Sequence, residues 1–349
     1  MTKPREVRFV ALNALRGVAA LAVVQRHGFA FLGGVPLPAS YLAVDFFFLL
    51  SGFVLAHAYD CRLDNSMSTW EFMRARLLRL YPVYLLALLL AVVLAIATGS
   101  YPMAAFAAAL LFLPDFWVSH FLWFIQPSWS LTWELIANLP FALFRRRLGP
   151  VLFILTAATA LILLTLFAFA RGSLDAGYYG PTAVGGLVRV FFSFPLGVIL
   201  YRNRATIGAW SPRWATWPTI ALLLLLLSLP TSPGLIALRD LAIVVVAFPT
   251  LLLFASRAAP RPATARIADA LGDLSYPIYV LHAPLIGMVG SLCLAAGLSL
   301  ERAPLPAGLA VLGGFMLLSW FVDRYVDRPI RRALYNSSAA QPVATLMAP

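Results

Sequence analysis

Two ionisable side chains, Arg16 and His27, interrupt the first apolar stretch of the chain eleven residues apart. On a helix, eleven steps of about 100° return to nearly the same face and advance roughly 16 Å. Both side chains then point to one side, and a ligand can run between them. Arginine carries a fixed guanidinium that suits phosphate, while histidine titrates near neutral pH and can take a proton from a hydroxyl. The plainer alternative, a snorkelling Arg16 and a satisfied interfacial His27, carries less weight, because ionisable groups are expensive in hydrocarbon and are functional candidates there by default. Arg26, beside His27, reads as a cation at the outer interface.

Arg76 and Arg79 stand three apart at the start of the third apolar helix and share one face. That spacing suits a polyphosphate clamp, although flanking positive charge explains either arginine equally well. The segment SWSLTWEL places Glu134 inside an apolar block with Ser130 one turn earlier. A carboxylate there either pairs with a base such as His27 or forms a structural ion pair with an arginine. Asp45, at the outer end of the second helix, could also orient His27. LGDLSYPIYVLHAPL presents Ser275, Tyr276, Tyr279 and His282 on a helix kinked by Pro277 and Pro284; structural hydrogen bonding is the default for these groups. His57 reads as interfacial, and Arg189, Asp240 and Asp323 as members of packing pairs. There is no Gly-rich phosphate loop, no His/Asp/Glu metal spacing and no G-x-S-x-G, so no metal is expected.

Such side chains need a scaffold that holds them away from water. The chain is 62% hydrophobic and 11% charged, against roughly 25% charge in soluble domains, and a water-soluble fold of this size could not hide that much apolar surface. The apolar residues fall into blocks long enough to span the roughly 30 Å hydrocarbon layer as helices. Candidate helices lie near residues 9–31, 40–59, 77–98, 103–117, 129–145, 150–171, 185–201, 214–229, 236–256, 274–297 and 306–323. Arginine clusters separate them: Arg62, Arg74, Arg76 and Arg79; Arg145, Arg146 and Arg147; Arg202, Arg204 and Arg213; Arg257, Arg261 and Arg266; Arg324, Arg328, Arg331 and Arg332, with Lys3, Arg5 and Arg8 before the first.

If every cluster faces the cytoplasm, two full spans between Met103 and Phe144 would break the rule. Residues 103 to 114, ended by Pro114-Asp115, are therefore expected to be partial or re-entrant, and the irregular stretch to Trp129 to line a cavity. The expected fold is an all-α polytopic transmembrane helical bundle with about ten crossings plus that short segment and both termini cytoplasmic. Residues 1–335 form one membrane domain, with a disordered tail over 336–349. The net charge of +12 suits membrane orientation and anionic lipid rather than nucleic acid. Cys61 and Cys293 lie in different surroundings and outline no disulfide or metal framework. The first apolar run, broken by Arg16, Arg26 and His27, reads as a retained helix rather than a cleaved signal.

In order along nearly the whole chain, the motifs resemble those of the bacterial membrane-bound acyltransferase family 3, whose members O-acylate glycans and other acceptors. LRGVAALAVVQRH is similar to the family's Arg-x10-His first helix, and VDFFFLLSGFVL to its second-helix signature. FMRARLLRLYPVY, SWSLTWEL, LSYPIYVLHAPL and VDRPIRR resemble its Arg-x-x-Arg, W-S-L-x-x-E, S-Y-x-x-Y-x-x-H-x-P and E-R-P-x-R segments, with Asp327 where glutamate is usual. The resemblance implies an enzyme of the bacterial inner membrane with a cytoplasmic acyl-CoA donor, acetyl-CoA first among them, and a glycan or other hydroxyl acceptor. It also implies that Arg76 and Arg79 contact the coenzyme and that His27 is needed for transfer; the residues' own placement sets Arg16 toward the donor and makes Glu134 a catalytic candidate. The rival from another class is a transporter moving a polar lipid or sugar through the same cavity; the absence of an internal repeat counts against it.

Overall fold

A computed structural model describes residues 9–28, 36–99, 103–114, 124–206, 214–298 and 305–336, without the side chains of 145–150, 335 and 336. The described residues form helices and no strand: α1 (Val10–His27), α2 (Ala43–Asn65), α3 (Thr69–Ala97), α4 (Met103–Leu110), α5 (Ser128–Arg171), α6 (Ala183–Arg202), α7 (Thr216–Ser228), α8 (Ile236–Leu241), α9 (Phe248–Arg257), α10 (Pro262–Ala295), α11 (Leu305–Val322) and α12 (Arg328–Asn336). Turns of π-helix, Ala242–Ala247 and Asp323–Asp327, join α8 to α9 and α11 to α12. Seven helical spans among the described residues are long and apolar enough to cross a membrane, and α7 is a shorter apolar helix. The protein is an all-α polytopic membrane bundle. Lys3, Arg5, Arg8, Arg213 and the tail over 337–349 lie outside the described residues.

Several helices extend beyond the apolar runs that announce them. α3 begins at Thr69 rather than 77, because Ser68 and Glu71 form a capping box: the Ser68 hydroxyl accepts from the Glu71 N–H and the Glu71 carboxylate accepts from the Ser68 N–H. α10 begins at Pro262 rather than 274. Hydropathy marks only the stretch a bilayer would embed, whereas backbone hydrogen bonding carries the helix on into polar sequence. α4 is short, as expected: its eight residues reach about 12 Å. It ends where Phe112 takes φ 58, held there by its ring stacked on Tyr84 at 4.1 Å and its carbonyl accepting from Thr132 at 2.5 Å.

The separate helices expected over 129–145 and 150–171 instead belong to one helical element of 44 residues. Even so, Phe141 and Phe153 have ring centroids 6.2 Å apart, although twelve residues of straight helix would separate their backbones by about 18 Å. A Cβ on Gly177, just past the end of α5, would also lie 2.6 Å from the Trp129 ring at its start. The chain therefore reverses between Phe144 and Val151, and α5 is a hairpin of two antiparallel arms.

Close packing sets the rest of the bundle. α1 and α10 run in parallel: Asn13 donates to Asp269 at 3.0 Å near one end and His27 meets His282 at 3.1 Å near the other. Glycines bring these helices together, since a Cβ on Gly17 would lie 2.5 Å from the Leu271 carbonyl oxygen, and one on Gly272 would lie 2.7 Å from the Asn13 Cβ. α2 and α6 are parallel in the same way, with Cβ positions on Gly52 and Gly197 only 2.0 Å from the carbonyl oxygens of Phe194 and Leu49. Membrane helices lack a hydrophobic drive toward one another, so small residues that admit backbone contact supply much of their association. His27 and Trp129 mark one end of the bundle. Arg62, Arg202, Arg204 and Arg257 collect at the other, where Arg202 pairs with Asp60 at 3.0 Å and Arg257 donates to the Arg204 carbonyl.

Gly197→Val is expected to force α2 and α6 apart, a penalty of about 1–3 kcal/mol or more. Thermal unfolding in detergent should show a lowered midpoint, with Gly313→Val, which meets nothing within 4 Å, close to wild type.

Candidate active site

The site is built on α1 and α10. Arg16 is tied to α10 by its Nε donating to the Ser275 hydroxyl at 2.8 Å and its Nη2 to the Gly272 carbonyl at 2.8 Å. Towards the opposite end of the helix His27 presents an exposed ring, with Nδ1 3.0 Å from the Val23 carbonyl oxygen and 3.1 Å from Nε2 of His282. His282 is wholly buried, and its own Nδ1 lies 2.7 Å from the Tyr279 carbonyl oxygen. One turn of α10 thus holds both a partner for His27 and Tyr279. The Tyr279 hydroxyl lies 2.7 Å from Ser130 on α5, whose own hydroxyl donates to the Pro127 carbonyl at 3.1 Å.

His27 opens into a cavity of about 560 Å³, lined also by Arg26, Tyr41, Trp129, Asp175 and Tyr279. Gln126 and Pro127, from the stretch expected to line a cavity, do so; residues 115–123 lie outside the described residues. Arg26 is more than an interface cation: it contacts Asp175 at 2.5 Å and lies 5.1 Å over the Tyr41 ring. Arg189 also borders this cavity and forms a paired contact with Asp45, its Nη2 2.6 Å and its Nε 3.1 Å from the carboxylate oxygens, while it donates to the Ala176 and Tyr41 carbonyls. The neighbouring Asp240 is held by Arg239 at 2.8 Å and by the Tyr41 hydroxyl at 2.7 Å.

The two carboxylates offered as partners of His27 are engaged elsewhere. Glu134 accepts from Arg76 at 2.7 Å and from the Ser51 hydroxyl at 2.5 Å. Asp45 is taken by Arg189. The reason is electrostatic: a guanidinium in a low-dielectric interior needs a carboxylate far more than a neutral imidazole does. The sequence reading named His282 as a hydrogen-bonding group without pairing it to His27, and did not single out Asp175. The one-turn spacing of Tyr279 and His282 signalled the first; nothing in the local pattern signalled the second.

Arg76 and Arg79 lie toward the arginine-rich end. Arg79 sits 3.6 Å from Asp327 and 5.3 Å over the ring of Tyr276, whose hydroxyl donates to the Leu80 carbonyl. Asp327 also faces Arg331 at 2.8 Å, while Asp323 pairs with Arg328 at 2.7 Å. Arg76 Nε and Arg79 Nη1 are buried without a hydrogen-bond partner, so both cations keep unused donors. His57, expected at an interface, is half-buried with Nδ1 3.0 Å from the Tyr201 hydroxyl. Among the described residues no cluster of His, Cys, Asp and Glu could hold a metal ion.

With this geometry in place, the comparison with known proteins is decisive. The acyltransferase 3 family, described as an acyltransferase domain, matches residues 9–324. The chain belongs to that family. It is 38% identical to "Protein 2 in picA locus" of Rhizobium radiobacter over 189 residues, 48% of this chain and 98% of that protein. It is 35% identical to "Acyltransferase MdmB" of Streptomyces mycarofaciens over 163 residues, 41% of each chain. No solved structure matches. The protein is a membrane acyltransferase that transfers groups other than aminoacyl groups, and the transporter reading falls away.

Arg189→Leu, which strands Asp45 in the interior, is expected to cost about 3–5 kcal/mol. The double variant Arg189→Leu/Asp45→Leu should recover part of that loss in thermal unfolding, because neither charge is then left alone.

Proposed function

We propose that this membrane acyltransferase moves an acyl group, acetyl in the simplest case, from cytoplasmic acyl-CoA to a hydroxyl of an envelope or exported glycan at the bacterial inner membrane. One observation carries the reading: a histidine exposed in a cavity at one end of the bundle, with partly unsatisfied buried arginines toward the other. The positive-inside rule assigns the arginine-rich end to the cytoplasm. The coenzyme's phosphates meet Arg76 and Arg79 there, near Arg16, and its long flexible arm carries the thioester toward His27. Arg76 and Arg79 fit this part because their spare N–H donors suit phosphate oxygens.

His27 then activates the acceptor hydroxyl for direct attack on the thioester, or carries the acyl group itself before passing it on. Of the two parts open to Glu134, partner of His27 or ion pair with an arginine, it takes the second. Bonded to Arg76, it compensates the donor-side cation rather than steadying His27. The cavity favours an uncharged acceptor, because its two cations are already paired, Arg26 with Asp175 and Arg189 with Asp45. Its aromatic rings, Tyr41, Trp129 and Tyr178, can pack against the apolar faces of a sugar.

The decisive experiment is mass spectrometry of envelope glycans with and without this protein, looking for one lost acyl group, together with transfer of labelled acetyl from acetyl-CoA by purified protein. His27→Ala is expected to reduce the rate by about 10²–10⁴-fold; a normal rate removes the role. Arg79→Ala should weaken acyl-CoA binding on the order of tenfold or more, read as a raised KM for the donor with kcat largely kept.

A further inference from the structure

We propose that His282 is a positioning residue that fixes the tautomer of His27 and thereby decides which ring nitrogen meets the substrate. The inference rests on the acyl-transfer reading above for its chemistry, but its geometry is independent of that reading.

Carbonyl oxygens only accept hydrogen bonds, so a ring nitrogen held against one carries a proton, and a neutral imidazole carries only one. His282 Nδ1 lies 2.7 Å from the Tyr279 carbonyl oxygen. Its Nε2 is therefore a lone pair, and it faces His27 Nδ1 at 3.1 Å. His27 Nδ1 is also 3.0 Å from the Val23 carbonyl oxygen, so a single N–H of His27 is shared between two acceptors. The other tautomer would set two lone pairs against each other at that distance and a third against Val23. With Nδ1 carrying the proton, His27 Nε2 is the unprotonated nitrogen of the exposed ring. His282 is buried and absent from the cavity lining, whereas His27 and Tyr279 are part of it. It acts on the reaction through His27.

In direct attack His27 carries one proton from the acceptor to the leaving group. The acceptor hydroxyl gives its proton to His27 Nε2 as its oxygen bonds to the thioester carbonyl carbon. The carbon–sulfur bond breaks, and the proton passes from Nε2 to the departing sulfur, leaving a free thiol and the neutral ring. Throughout, Nδ1–H stays bonded to His282 and Val23. A neutral imidazole holds the transient imidazolium less tightly than a carboxylate would, which favours return of the proton to sulfur.

The test combines nitrogen-15 NMR of histidine-labelled protein in lipid nanodiscs, with His27 assigned by comparison with His27→Ala, and steady-state kinetics. Wild-type His27 should show protonated Nδ1 and unprotonated Nε2. The opposite tautomer overturns the proposal even if every His282 variant misfolds. His282→Leu leaves the Val23 carbonyl as the one acceptor for the His27 Nδ1 proton, and should weaken the Nδ1–H preference, free the ring to turn and lose about 10–100-fold in kcat, with the donor KM within about twofold of wild type. His282→Gln, whose side-chain oxygen can accept the same hydrogen bond, should recover most of kcat. Folded His282→Leu with normal kcat, or His282→Gln as slow as His282→Leu, overturns the role. Should wild-type protein transfer no acyl group from acyl-CoA, the functional reading fails, while the tautomer measurement still decides this one.

Discussion

The parallel contact between α1 and α10 is the constraint on which the site depends. Two glycines, Gly17 and Gly272, remove the Cβ atoms that would hold the helices apart, and over the length of α1 three polar pairs form in register: Asn13 with Asp269, Arg16 with Ser275 and His27 with His282. Each of these groups would be costly alone in hydrocarbon, and each finds its partner on the same neighbouring helix. The site is thus a consequence of helix packing. A wider separation would lose all three contacts together, because they share one interface.

Charge compensation organises what surrounds that contact. Almost every buried cation described here has a carboxylate within reach: Arg189 has Asp45, Arg76 has Glu134, Arg239 has Asp240 and Arg328 has Asp323. The pairing at Arg79 is looser, at 3.6 Å from Asp327. At that distance Arg79 Nη1 has no hydrogen-bond partner. The cations lining the cavity are closely paired, whereas toward the arginine-rich end Arg76 and Arg79 keep N–H groups without a hydrogen-bond partner.

Much of the architecture was legible from hydropathy and arginine placement. The short α4 followed from the positive-inside argument together with the Pro114-Asp115 break, and the antiparallel arms of α5 reverse the chain between Phe144 and Val151, where the arginine cluster lies. Helix ends were less legible, as at α3 and α10, because a bilayer's thickness limits the apolar stretch and not the hydrogen-bonded one. Within the site, the Arg16 and His27 spacing was readable because both lie on one helix with a fixed period. The partners of His27, Glu134 and Asp45 were not, because they lie on other helices.

The sequence by itself determined an all-α membrane bundle and the shared face of Arg16 and His27, since composition and helical period are local properties. Tertiary structure decided which acid went to which base. Glu134, Asp45 and His282 were all chemically fit to stand beside His27, and sequence separation does not rank them. Competition did: the guanidinium groups of Arg76 and Arg189 took both carboxylates, since a buried cation is stabilised far more by an anion than a neutral ring is, and the packing of α1 on α10 left His27 to another histidine.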